Sequence, residues 1–344
     1  MKLLIVTQTV DKNDAILGFF HRWIAEFAAK FEKVTVIALG VGSYDLPSNV
    51  TVLSLGKEKG TGRLGYIRNF YSYITSRKGD YDAVFVHMNP IYVVLGSPVW
   101  KILGKRIALW YVHKTVDLKL RLATMLADRV FTASKESFRI KSSKVVVTGH
   151  GIDLANSTLA KFPRDNSDAQ VIATLGRVSA TKNVDFMIRA FARAKREYGQ
   201  PAVFEIIGNA ATPADEEFKD RLTALVSELG ISDSVVFKGQ IANEAIPDYI
   251  GTVDLTLNAS STGSLDKAVL ESMAVGVPVL CANEAFKDIL GPFGLYCEGL
   301  DEDRFALMLS ALLRGVPLDR KGLRAVIERD HSLANLIDRI SKTI

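Results

Sequence analysis

Short apolar runs alternate with longer stretches of helical periodicity along almost the whole chain, and this rhythm restricts the fold more than any other feature. Leu3–Thr7, Val34–Leu39, Val50–Leu55, Ala83–His87, Ile107–Val112, Arg129–Ala133 and Lys144–Thr148 read as strands. Helical patterns lie between them at Gly18–Lys30, Arg63–Arg77, Ile91–Lys101 and Leu118–Leu126. Continuous apolar runs joined by helices predict a parallel sheet covered on both faces. The rhythm restarts after Gly149-His150-Gly151-Ile152-Asp153 and a polar segment from Asn156 to Ala169. The second series predicts strands at 171–175, 203–207, 235–238, 255–257, 277–281 and 295–297, with helices at 184–198, 214–229, 243–249, 265–275, 286–290 and 304–314. The expected architecture is α/β, with two doubly wound domains facing an interdomain cleft. Residues 1–155 form the first, 156–330 the second, and 331–344 a final helix returning to the first. Ligands of such sheets bind at the carboxyl ends of the strands.

The most informative stretch is Asn258 to Leu280, NASSTGSLDKAVLESMAVGVPVL. Ser260 to Ser264 form a small-residue loop that a ligand's atoms can approach closely. Ser264 suits the N-cap of the following helix. Leu265, Ala268, Val269, Ser272 and Met273 give that helix one buried face, and Gly276 ends it. A small-residue loop opening a helix after a strand favours anions through free N–H groups and the helix dipole. Lys267 adds a cation, and Glu271, about 6 Å further on at 1.5 Å rise per residue, can accept hydrogen bonds from a diol. The same residues equally describe a structural unit with a surface Lys–Glu pair at i, i+4.

Arg177 and Lys182 follow the first strand of the second series, in LGRVSATKNVD. Two cations at a strand's carboxyl end suit a diphosphate, although lysine and arginine are mostly solvent-exposed in any case. His113, just past the apolar run ending at Val112, can bond a substrate hydroxyl or move a proton, and ranks above His21, His87 and His150. Asp80-Tyr81-Asp82 and Asp301-Glu302-Asp303 have the spacing of metal-dependent sugar-transfer sites. The first lies at the amino end of its strand and the second at a helix start, so neither reads as a metal site.

Other function classes are disfavoured. The first strand is followed by TQTVD, with neither GxGxxG nor GxxxxGK[ST], against dinucleotide and P-loop chemistry. The two cysteines lack metal spacing and point to a reducing compartment. A net charge of +5 suits an anionic ligand or surface, but no clustered basic stripe points to nucleic acid. The apolar region at 91–103 falls short of the ~20 residues of a membrane span, and no leader pattern precedes the first strand. The expected location is cytoplasmic. The basic, aromatic stretch from Arg63 to Lys78 could rest on the inner membrane face, or be a core-facing helix with a solvated side.

Taken together, these residues resemble the retaining glycosyltransferases of the GT-B fold, in the group usually numbered four. GRVSATKNVDFMIRAF from Gly176, VVFKGQIANEAIPDYI from Val235 and STGSLDKAVLESMAVGVPVL from Ser261 carry the resemblance. It implies two Rossmann-like domains and transfer of a sugar, with retention, from a UDP- or GDP-sugar to a saccharide or lipid-linked acceptor in cell-surface glycan assembly. It implies no metal and no cofactor beyond that co-substrate. Position by position, Arg177 and Lys182 hold the diphosphate and Glu271 the ribose, while Gly18 lines the cleft and His113 meets the transferred sugar. Lys238, Gly239 and Gln240 face the base, and Thr262, Gly263, Ser264, Leu265 and Lys267 frame the donor. The family's E-x7-E pattern is incomplete: Gly263 stands where its first glutamate should be, with Asp266 three residues on. Two other readings stay open: a sugar-nucleotide epimerase of the same architecture, and a non-catalytic nucleotide-sugar-binding protein.

Overall fold

The computed structural model describes the chain except Ala15, Asn156, residues 161–168 and Gln200. The polar segment expected between the two series therefore lies largely outside the described residues. The chain divides into two compact units, Met1–Asp153 with Asp330–Ile344, and Leu154–Arg329.

The first unit is built on seven strands: β1 (Lys2–Val10), β2 (Lys33–Val41), β3 (Val50–Ser54), β4 (Ala83–His87), β5 (Arg106–Trp110), β6 (Arg129–Thr132) and β7 (Val145–Val147). They pair in the order β3-β2-β1-β4-β5-β6-β7, parallel at every junction. Every residue of β4, AVFVH, is buried, as expected of a strand covered on both sides. One face carries α2 (Arg63–Ser76), α3 (Pro90–Ile102) and α4 (Leu118–Leu126). Their Phe70, Ile74, Val93, Trp100, Leu120 and Ala123 share a core with Leu4, Val84 and Leu109. The other face carries α1 (Phe19–Lys30), where Phe27 packs on Phe85 and Trp23 on Trp110, with centroids 5.1 Å apart in each pair. α12 (Leu333–Thr343), capped by Ser332, packs against α1.

The second unit has five parallel strands: β8 (Gln170–Leu175), β9 (Ala202–Ile207), β10 (Val235–Gly239), β11 (Leu255–Asn258) and β12 (Val279–Cys281). Their order is β10-β9-β8-β11-β12. α5 (Val184–Tyr198), α6 (Pro213–Glu228) and α10 (Glu302–Leu313) cover one face through Ile188, Phe191, Leu222 and Phe305. α7 (Ile246–Ile250) and α8 (Lys267–Ala274) lie toward the other, where Ile250 and Val275 meet Leu175 and Ile207.

Three expectations need correction. Leu295–Cys297 forms no strand: it adds only one bridge to β12, through Tyr296 and Cys281. The strand expected from Val277 starts at Val279, because Val277 N–H still bonds the Ser272 carbonyl of the preceding helix end. α8 starts at Lys267 with Asp266, not Ser264, at its N-cap. A further helix, α9 (Lys287–Leu290), and α11 (Arg320–Val326) complete the unit. Arg324 of α11 donates from Nη1 to the carbonyls of Ser157 and Ala274, the latter at 2.7 Å.

Candidate functional site

In the second unit the strand order reverses between β8 and β11, the place where open α/β sheets hold ligands. Three strand ends converge there in glycines with left-handed backbones: Gly176 at φ +139°, Gly208 at +135° and Gly239 at +74°. A Cβ on Gly208 would lie 1.9 Å from the Gly176 carbonyl oxygen, so no other residue fits between these strand ends. Gly208 N–H also donates to the Gly239 carbonyl at 2.8 Å. Bare backbone thus lines the edge from β10 to β8.

The loop after β8 and the loop after β11 are tied into one platform. Thr181 carbonyl accepts both Ser261 N–H at 3.0 Å and Ser261 Oγ at 3.2 Å. Asn183, held at φ +50°, donates from Nδ2 to Ala259 carbonyl at 2.7 Å. Lys182 forms an ion pair with Asp266, and the same Oδ2 accepts from Asn258 Nδ2 at 3.0 Å. Gly176, Arg177, Lys182 and Asn258 line one small cavity here. Arg177 stands at the rim: half its side chain (53%) is exposed, and its Nε lies 3.9 Å from Asp215.

Lys267 and Glu271 are one turn apart on α8, and their side chains meet at 2.7 Å, with the carboxylate only 11% exposed. Both lysines of the loop are therefore held by carboxylates. Asp266 makes no side-chain bond at the helix start, while its carbonyl accepts Val269 N–H at 3.2 Å, and the positive end of the helix dipole still favours an anion there. Thr262 hydroxyl bonds Ser260 Oγ at 3.0 Å and accepts from Ser264 Oγ at 3.4 Å. Gly263 has φ +58°, a conformation in which a side chain is strained. Leu265 is buried beneath the loop, and the Ser264 carbonyl is pinned by Asn283 Nδ2 at 2.9 Å.

Lys238, Gly239 and Gln240 close the far end. The Lys238 side chain bonds Glu205 at 2.7 Å and lies over the Tyr249 ring. Tyr249 hydroxyl donates to the same carboxylate, and burial and that bond push its pKa up. What this segment can offer a ligand is backbone and Gln240, since the lysine is engaged below the strand.

Gly18 and His113 belong to the first unit. Gly18 precedes α1 with φ −54°, where any residue fits. His113 is exposed, three residues past β5, with the Tyr111 ring 6.4 Å away. His87 is buried instead: Thr7 Oγ1 lies 3.2 Å from its Nδ1 and Phe20 stacks on it at 3.9 Å. Burial, with His150 nearby, pushes its pKa down to about 3.

The acidic triplets are engaged elsewhere. Asp80 pairs with Lys33 at 2.8 Å, Asp82 accepts from the Lys2 backbone at 2.8 Å, and Asp301 caps α10. No group of three or more metal-ligating side chains assembles among the described residues. Burial pushes the thiols of Cys281 and Cys297 up, leaving them poor nucleophiles. Sequence reasoning gave no role to Asn183, Asn258 and Asn283, which build the platform. For Asn258 and Asn283 the available signal was a polar side chain at or just past the end of an apolar strand, which must find a partner once buried.

Residues 157–314 match the family described as glycosyl transferases group 1. A D-inositol 3-phosphate glycosyltransferase of Acidothermus cellulolyticus is 29% identical over 170 residues, 47% of this chain and 36% of that protein. A protein of the same name from Nocardia farcinica is 32% identical over 162 residues, 45% of this chain and 36% of that protein. The chain thus matches about a third of the length of these relatives. Among solved structures, Anabaena HepE in complex with UDP superposes with a TM-score of 0.80 at 17% identity, covering 100% of this chain and 99% of that one. Residues 157–314 thus match the group 1 glycosyl transferase family, within a chain that has the GT-B fold of two Rossmann-like domains.

Proposed function

We propose that this protein transfers a sugar, with retention at the anomeric carbon, from a nucleoside-diphosphate sugar to a saccharide or lipid-linked acceptor in cell-surface glycan assembly. One observation carries the reading: the β8 and β11 loops are bonded into a single platform at the strand-order reversal, with Lys182 and Lys267 beside it. A diphosphate there meets two ammonium groups, the Arg177 guanidinium and first-turn N–H groups of α8. In the transition state, negative charge grows on the departing phosphate. Fixed donors and cations already aimed at that place lower the barrier without reorganising. These residues can supply the charge that a metal supplies in other transferases, so the reaction is assigned as metal-independent, with the nucleotide sugar as its only co-substrate.

Glu271 accepts from the ribose diol in exchange for Lys267, and the backbone of Gly239 and Gln240 meets the base. UDP is the first choice of nucleotide, because the HepE structures contain UDP and UDP-glucose. GDP is the second. His113 acts on the transferred sugar, and Gly18 gives the substrate room. Exposed Leu118, Leu122 and Met125 form a stripe on α4 beside exposed Lys119 and Arg121. Leu64 and Ile67 on α2, with Arg63 and Arg68, are exposed as well. Apolar and cationic side chains together suit an anionic membrane, so the first unit docks at the cytoplasmic membrane face where a lipid-linked acceptor is found.

Lys182→Ala and Glu271→Ala test the assignment. Each is expected to lower transfer from UDP- or GDP-sugars by at least ~100-fold with an unchanged circular dichroism spectrum, and proton NMR of the product should show the donor's anomeric configuration. Near-normal turnover in both variants contradicts it. Gly263 favours one competitor, a nucleotide-sugar-binding protein without activity. Tight donor binding with neither transfer nor donor hydrolysis would establish that reading instead.

A further inference from the structure

A second polar groove opens one strand further along the same sheet edge. Its walls are the Ala259–Gly263 loop, the segment after β12 and the stretch from Tyr296 to Leu300, enclosing about 450 Å³, within the size range of small-molecule sites. The stretch is fixed to the sheet: Cys281 N–H donates to Leu295 carbonyl at 2.9 Å and Cys297 N–H to Cys281 carbonyl at 2.8 Å. Tyr296, between these two bonds, is thereby held half-buried beside β12.

The lining selects its ligand class. Two carboxylates, Glu284 and Glu298, and one ammonium, Lys287, give the groove a net negative charge, which disfavours phosphate. Lys287 and Glu298 pair at 2.9 Å and are both solvent-exposed. Ser260 and Ser261 contribute hydroxyls from the loop shared with the phosphate platform. Carboxylates that accept from diols, an ammonium that donates, and an aromatic ring that packs on C–H groups are the chemistry of a neutral polyhydroxylated ring. Position agrees. If the nucleoside lies toward Glu271 and β10, the sugar end of the same diphosphate points the other way along the strand ends, toward β12.

We infer that this groove is a saccharide subsite, in which Glu284, Glu298 and Lys287 bond the hydroxyls of a sugar ring and Tyr296 packs on its C–H face. The inference rests on the proposed function for its orientation. Its chemistry fits the donor's hexose and an acceptor's ring alike, and the test separates them.

The test is saturation-transfer NMR on the full chain, with Tyr296→Ala and Glu284→Gln compared with the wild type and thermal melts confirming the fold. The donor arm uses UDP-glucose and GDP-mannose. The acceptor arm uses methyl glucosides and methyl mannosides with UDP present. Hexose protons of one arm should be saturated in the wild type, with an affinity about three- to tenfold weaker in each variant, while base and ribose protons stay unchanged. Hexose signals that are absent, or equal in all three proteins, overturn the inference. If UDP and GDP give no signal at all, the proposed function fails instead, and the methyl glycosides still report on the groove.

Discussion

Lys182 and Asp266 are the residues at which structure and chemistry meet most closely. Lys182 lies at the platform proposed for a diphosphate, yet Asp266 holds it, and Asn258 in turn fixes Asp266. A diphosphate must therefore compete with Asp266 for the ammonium. Asp266→Asn should bind UDP more tightly in calorimetry, while urea unfolding shows a stability loss of roughly 1.5–3 kcal/mol for the weakened charge-assisted bonds. Weaker UDP binding would mean that Asp266 positions Lys182 rather than competing for it. Gly263 poses the complementary question. At φ +58° a glutamate costs about 1–2 kcal/mol, so Gly263→Glu should lower stability by that amount and leave activity no higher. A gain in transfer would show that the loop can adopt the arrangement implied by E-x7-E. Arg177 and Lys182 could be picked out in the sequence because charge at a strand's carboxyl end is conspicuous, and Lys267 and Glu271 because they follow a small-residue loop that opens a helix. The Lys267–Glu271 pair was legible from its i, i+4 spacing, but the partners of Lys182 and Arg177 were not, because Asp266 and Asp215 meet them only once the strands are in order.

At the scale of elements, most of both sheets could be read directly. Parallel strands buried on two faces are apolar runs, and Ala83–His87, Leu118–Leu126 and Val184–Tyr198 appear with the ends the sequence suggests. α11 was missed. It spans seven residues, and Gly322 interrupts its pattern, although Asp319 caps it by accepting from Gly322 N–H at 2.8 Å. The N-cap of α8 was misplaced because Ser264 and Asp266 are equally good capping types, and Asp266 sits there with its side chain drawn to Lys182. The end of β4 carries a further consequence. His87 is buried among Phe19, Phe20 and Trp23, and its pKa is pushed down to about 3 from the ordinary 6.5. Between those values the unfolded chain binds a proton that the folded chain excludes. The stability from neutral His87 is thus complete above about pH 6.5 and is lost as pH falls toward 3, by about 1.4 kcal/mol per pH unit. Urea unfolding at several pH values in that window should show a shallower dependence for His87→Gln than for the wild type. Equal slopes would mean that His87 takes up its proton without unfolding.

At the scale of the molecule, two doubly wound units divide the labour. The second carries the platform proposed for a diphosphate, and the first carries Gly18, His113 and exposed apolar and basic side chains on α2 and on α4. No helix among the described residues is long and apolar enough to cross a membrane. Vesicles containing anionic lipid should sediment the protein at low salt and release it at high salt, and Leu118→Glu with Met125→Glu should abolish sedimentation while activity on a water-soluble acceptor persists. Equal binding to neutral vesicles, or none at all, contradicts that role. Donor use is the central claim, and calorimetric titration of the full chain with UDP and GDP, wild type against Lys182→Ala, tests it most directly. The account predicts binding of one nucleotide by the wild type and at least ~10-fold weaker binding by the variant, about 1.4 kcal/mol. Equal affinity in the two proteins, or no binding of either nucleotide to the wild type, would contradict it.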